Sequence, residues 1–169
     1  MQVRTKLFIF GVIILGIISL IGIGIFNKVK YKNRVKEDIL NLNPIQYLSI
    51  DGSLKQIGST GNFKIIFFFN SECGHCESEA QSVFSNVSSF MNSEIYFFSV
   101  EEISVIKRFV NQFNLSMSTG IEIGQVDMNV IHNAGVNTYP ICFIYSPKGI
   151  LLKKYVGEVK IEAIVLHLQ

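Results

Sequence analysis

The chain has 169 residues, 49% of them hydrophobic and 17% charged, with a formal charge of +2 and a mean hydropathy of +0.37. That length suits one domain with an appendage. The charge is too weak to argue for nucleic acid, and three cysteines are too few for a disulfide scaffold.

Residues 1–6 form a short tail carrying Arg4 and Lys6. Leu7 to Phe26 reads LFIFGVIILGIISLIGIGIF, uncharged and with Ser19 as its only polar side chain. Twenty such residues at about 1.5 Å rise span roughly 30 Å, the thickness of the hydrocarbon layer. The segment is therefore expected to be a single transmembrane anchor. Gly22 and Gly24 are spaced like a signal-peptidase site, which leaves cleavage as an alternative. Lys28, Lys30, Lys32, Arg34 and Lys36 follow the segment and outnumber the two basic residues before it. Counted alone, they would hold the C-terminal side in the cytoplasm. The short leading tail has the layout of a signal anchor, and whole domains translocate despite flanking charge. A single-pass protein with its domain on the extracytoplasmic face is the expectation.

Residues 27–43 read as a basic connector that ends near Pro44, and residues 44–169 as the domain. Tyr47 to Ile50 then Asp51-Gly52 predict a short strand and a turn. Lys64 to Phe69 (KIIFFF) is a continuous apolar run, as a strand covered on both faces requires. After it, Val83, Phe84, Val87 and Phe90 recur at helical spacing. Ile95 to Val100 predicts a second buried strand. Glu101 to Phe113 follows as a helix with Ile103, Ile106, Phe109, Val110 and Phe113 on one face. Ile121 to Val126 predicts a further strand, and Asp127 caps a short helix through His132. Ile141 to Tyr145, the turn Ser146-Pro147-Lys148-Gly149 and Ile150 to Val156 predict an antiparallel hairpin, and Val159 to Leu168 a closing helix. This order gives an α/β fold with a mixed sheet and helices on both faces.

Cys73-Gly74-His75-Cys76 stands between the KIIFFF strand and an amphipathic helix. A helix N-terminus offers unpaired N–H groups and a dipole that favour negative charge, so a thiolate placed there is activated. Cys73 would be the attacking sulfur and Cys76, about one turn in, the resolving one. His75 adds positive charge beside the thiolate, and Glu72 adds negative charge against it. A C-x-x-C can also be half a zinc site, but Cys142, His132 and His167 are not paired by spacing to complete it. An inert disulfide would close too small a loop to stabilise much.

The segment SECGHCESEA after KIIFFFN resembles the active-site segment of thioredoxin-fold proteins. Its CGHC is similar to that of protein disulfide isomerase domains. Thr138-Tyr139-Pro140, then ICFIY, SPKG and ILLKKYVGEV, resembles the second signature of that family. The Asp51-Gly52 turn and Glu79, three residues past Cys76, look most like the membrane-anchored TlpA/ResA subgroup. The resemblance spans roughly Tyr47 to Leu168. It implies a thioredoxin-like fold behind the anchor and thiol–disulfide exchange with protein substrates through Cys73 and Cys76, in the reductase direction. A membrane or soluble thiol would donate the electrons, and no cofactor or metal is implied. By the same resemblance Pro140 is cis and faces the cysteines, Tyr139 offers backbone to a substrate strand, and Glu79 tunes the proton transfers. The sequence departs from the family by having no tryptophan before Cys73 and Phe67 where thioredoxins bury an aspartate.

Two other readings are open. A copper-delivering metal module would use the cysteines with His132, although such modules space their cysteines C-x-x-x-C. A binding module without catalysis would explain the missing tryptophan and aspartate. A peroxidase is disfavoured because Asn70 stands where a threonine or serine is needed, with no proline upstream nearby.

Overall fold

The computed structural model describes residues 14–28, 30, 42, 44–58, 61–115 and 120–169. The chain divides into two compact units, Met1–Glu37 and Asp38–Gln169.

In the first unit, residues 14–28 form a helix, α1. Its isoleucines, leucines and Phe26 stand 41–70% exposed, so apolar side chains line its described surface. The remainder of the expected span, residues 7–13, lies outside the described residues, as does most of the connector. Among the described residues no helix is long and apolar enough to cross a membrane.

The second unit is built on one seven-stranded sheet. Its strands are β1 (Gln46–Ser49), β2 (Leu54–Gln56), β3 (Phe63–Phe68), β4 (Ser93–Ser99), β5 (Ile121–Gln125), β6 (Ile141–Tyr145) and β7 (Leu151–Val156). Their order across the sheet is β2-β1-β5-β4-β3-β6-β7. The pairs β3–β4 and β4–β5 are parallel, because helices cross over between them; β6 pairs antiparallel with β3 and, through the hairpin turn, with the edge strand β7. The helices are α2 (Gly74–Ser85), α3 (Ile103–Gln112), α4 (Met128–Asn133) and α5 (Ile161–Val165).

The central strands have two dry faces because successive residues point to opposite sides. Ile65, Phe67 and Phe69 pack with Val83 of α2, Ile106, Phe109 and Val110 of α3, and Ile161 and Ile164 of α5. Ile66 and Phe68 pack on the other side with Tyr47, Phe98, Phe143 and Ile131 of α4. Helices therefore cover both faces of a mixed sheet, and the fold is thioredoxin-like. Each fully buried Phe or Ile stabilises by about 1.5–3 kcal/mol. That makes β3, with Ile65 to Phe68 at or below 1% exposure, the best-anchored strand.

Some element limits differ from expectation. The segment Leu54–Gln56 (LKQ) is a strand that the sequence does not announce, formed because the Asp51-Gly52 turn folds it antiparallel onto β1. The helix after the cysteine motif stops at Ser85. The Asn86 N–H turns back to the Val83 carbonyl, and Val87–Ser89 continues as a 3-10 turn rather than as α-helix. Glu101 lies outside α3, and Val159 and Lys160 outside α5.

Candidate active site

Strand β3 ends at Phe68, and the chain needs only the turn Asn70–Glu72 to reach the start of α2. That turn is held at several points. The Glu72 N–H donates to Asn70 Oδ1 at 2.9 Å, and the Cys73 N–H donates to the Asn70 carbonyl at 3.2 Å. The Glu101 carboxylate accepts from the Ser71 N–H at 2.8 Å, from Ser71 Oγ at 2.6 Å and from Ser99 Oγ at 3.0 Å. Sequence reasoning assigned Glu101 to a helix and missed this clamp. The available signal was its place just past the end of the strand beside β3.

Cys73 is the N-cap of α2. Its extended backbone lets Sγ turn back over the first turn, where it accepts from the Cys76 N–H at 3.3 Å. It is partly exposed, whereas Cys76 is 1% exposed and Cys142 is fully buried; all three are free thiols. Burial pushes the Cys76 thiol far up, and its hydrogen bond to Cys73 adds to that. The pair thus has one partly exposed cysteine whose sulfur accepts the Cys76 N–H and one covered cysteine behind it.

Glu79 lies one turn after Cys76 on the same side of α2 and is 2% exposed. Its Oε1 accepts from the Val159 N–H at 3.1 Å. Burial raises its pKa to about 8; the Val159 N–H works against that rise, and the charge of Glu158 adds to it. The Glu79 charge in turn reaches both Cys76 and Cys142. Phe67 occupies the centre of this region, stacked on Phe97 at 4.6 Å and directly opposite Cys142 in the β3–β6 register. Around Cys76, then, the described residues place Glu79 as a buried carboxyl and Phe67 as an apolar wall.

The Tyr139–Pro140 bond is cis. Tyr139 packs against the cluster that holds Cys76, and burial, Glu101 and Cys76 all raise its phenol pKa. The Pro140 carbonyl accepts from the Gly157 N–H at 2.9 Å. His75 is exposed, with Nδ1 3.0 Å from Glu158 Oε2. The structure thus gathers Cys73, His75, Cys76, Glu79 and Tyr139 about the N-terminus of α2. Among the described residues, no cluster of three or more His, Cys, Asp or Glu is arranged to hold a metal ion. His132 lies on α4, whose buried residue Ile131 belongs to the opposite face of the sheet. Glu158 was the second residue that sequence reasoning missed, because its partner is 83 positions away.

No family model and no curated relative matches the chain by sequence. Solved structures do match its fold. StoA from Bacillus subtilis superposes with a TM-score of 0.62 at 17% identity, covering 75% of this chain and 97% of its own. A secreted disulfide oxidoreductase from Mycobacterium tuberculosis gives 0.61 at 13% identity, covering 73% and 92%. A peroxiredoxin-like protein from Aquifex aeolicus gives 0.64 at 14% identity, covering 76% and 83%. At these identities the likeness is one of fold, and that fold is thioredoxin-like.

Proposed function

We propose that the chain is a thiol–disulfide oxidoreductase that exchanges disulfides with protein substrates through Cys73 and Cys76. The observation that carries this reading is the partly exposed Cys73 sulfur at the N-cap of α2, accepting the Cys76 N–H, with the Cys76 thiol buried behind it. In the reductase direction the Cys73 thiolate attacks a substrate disulfide. A Cys73–substrate mixed disulfide forms, and the first substrate sulfur leaves as thiolate and takes a proton from solvent. Cys76 then loses its proton to an ionised Glu79 carboxylate. Its sulfur attacks Cys73 Sγ and the second substrate thiolate departs, leaving the Cys73–Cys76 disulfide. A membrane or soluble dithiol partner returns two electrons.

Glu79 suits the proton step because its pKa of about 8 lies near the operating range, so it exchanges protons readily there. Tyr139, which packs against the cluster that holds Cys76, and Pro140 after it are the proposed docking edge for an extended substrate strand. The reductase direction rests on the resemblance to the TlpA/ResA subgroup. Residues 7–26 are the proposed anchor, supported by the uncharged, exposed apolar surface of α1. The secreted neighbour supports a domain on the extracytoplasmic face.

The test is trapping. Cys76→Ser should accumulate a mixed disulfide with a protein substrate at Cys73, and Cys73→Ser should not; equal trapping by both variants would sink the assignment of roles. Carbonate-resistant membrane association that is lost on deleting residues 7–26 tests the anchor.

A further inference from the structure

Three consecutive residues between β7 and α5 reach three separate parts of the site. The Gly157 N–H donates to the Pro140 carbonyl at 2.9 Å. Glu158 Oε2 lies 3.0 Å from His75 Nδ1, inside the C-x-x-C motif. The Val159 N–H donates to Glu79 Oε1 at 3.1 Å. Gly157 has a φ of +85°, a conformation open to glycine, which turns the chain out of β7 just before the two acidic contacts.

As a source of stability the His75–Glu158 pair is weak, because both side chains are well exposed and solvent screens them. Its consequence is electrostatic. One carboxylate faces the only basic side chain of the motif, and its charge also reaches the buried Glu79. The neighbouring Val159 N–H acts on that same carboxyl in the opposite sense. The loop therefore holds Glu79 between a donor that favours its ionised form and an anion that disfavours it.

We infer that Glu158 is a positioning residue for the exchange reaction: it holds the His75 ring and biases the protonation of Glu79, so that the Cys73–Cys76 equilibrium depends on pH through this loop. The inference rests on the redox reading of the cysteine pair. The charge that bears on Glu79 is that of Glu158 in the loop, and the Glu79 charge in turn bears on Cys76 of α2 and Cys142 of β6. On the exposed side His75 faces Glu158.

The experiment measures the glutathione equilibrium constant of the full-length chain in detergent from pH 5.5 to 9. A group whose proton affinity differs between dithiol and disulfide leaves a break in such a profile. Removing the Glu158 charge lets Glu79 ionise at lower pH, so Glu158→Gln should move the Glu79 break downward. It should also change the constant at pH 7 by about twofold to fivefold, the size of a partly screened charge interaction. Glu158→Asp should retain the wild-type profile, and Glu158→Gln placed on Glu79→Gln should show no such break to move. Superimposable profiles for the wild type and Glu158→Gln overturn the inference while leaving the redox pair intact. A wild-type chain that forms no Cys73–Cys76 disulfide at any glutathione ratio overturns the redox reading, and this inference with it.

Discussion

The backbone N–H of Val159 donates to Oε1 of Glu79 at 3.1 Å, across 80 positions of sequence, and ties the loop before the last helix to a buried carboxyl behind the C-x-x-C motif. One hydrogen bond does not replace the hydration this group loses, so Glu79 keeps its proton up to about pH 8 against an ordinary 4.5. Between those two values the unfolded chain has released the proton and the folded one has not. Stability contributed by this site therefore falls as pH rises from about 4.5 to about 8 and levels off above. The slope for one proton is at most roughly 1.4 kcal/mol per pH unit. Glu79→Gln should flatten that slope in urea titrations. It should also slow resolution of the mixed disulfide by about a hundredfold above pH 8, where Glu79 is ionised and can take the Cys76 proton, the lower range of a lost proton-transfer group. An unchanged resolution rate in this variant would remove Glu79 from the proton route.

The three cysteines differ in access rather than in type. Cys73 is partly exposed at the cap, Cys76 is 1% exposed, and Cys142 is fully buried opposite Phe67. Burial also raises the Cys142 thiol well above its ordinary value, which keeps it protonated and unreactive. Brief alkylation of the folded, reduced chain, read by peptide mass mapping, should therefore label Cys73 at least tenfold faster than either of the others. Cys142→Ala should leave exchange activity unchanged. Comparable labelling of Cys142 would show that the face between β6 and α2 opens in solution.

Among the described residues the β1–β2 hairpin joins the sheet by strand pairing with β5, and Gly124 makes that close approach possible. A Cβ there would lie 2.7 Å from both the Leu48 carbonyl oxygen and Tyr47 Cδ2. One of these is backbone and cannot rotate away. Gly124→Ala should cost about 1–3 kcal/mol, as overpacking in a close-packed region does, with loss of β1–β5 pairing in hydrogen exchange. Gly74, whose Cβ would meet nothing within 4 Å, is the control: Gly74→Ala should be nearly neutral for stability.

Much of the fold is legible because its signals are local. The runs KIIFFF and ICFIY are apolar throughout, as strands with two covered faces require, and both are interior strands of the sheet. The alternation of strand and helical periods fixes the parallel centre, and Ser146 to Gly149 fixes the antiparallel hairpin. Asp127 caps α4 through its side chain, as its position before Met128 suggests. Illegible elements are those made by partners far away. Leu54–Gln56 has no apolar alternation of its own and becomes a strand only by pairing with β1. Val87 and Phe90 keep the helical period while the backbone has already left the α-helix at Asn86, because the period records which side is buried and not the hydrogen-bond pattern.

The site divides in the same way. Cys73, His75, Cys76 and Glu79 fall within seven residues, and their placement follows from one helix start. Phe67 also announces itself, since an aromatic side chain in the middle of β3 excludes a carboxylate from that place. Glu101 and Glu158 read as ordinary surface acids, because nothing near them in sequence shows that Ser71 and His75 are their partners. Only the parallel pairing of β3 with β4, and the return of β7 beside β6, bring them to the motif.

The central claim is that Cys73 and Cys76 form a reversible disulfide that runs as a reductant. The reduction potential of this pair, obtained by thiol trapping of the full-length chain across a series of redox buffers, tests it most directly. A single two-electron transition near or below about −270 mV, the thioredoxin value, is the predicted result. A potential of roughly −180 to −120 mV would contradict the reductant assignment, and the absence of any Cys73–Cys76 disulfide at every poise would contradict the claim as a whole.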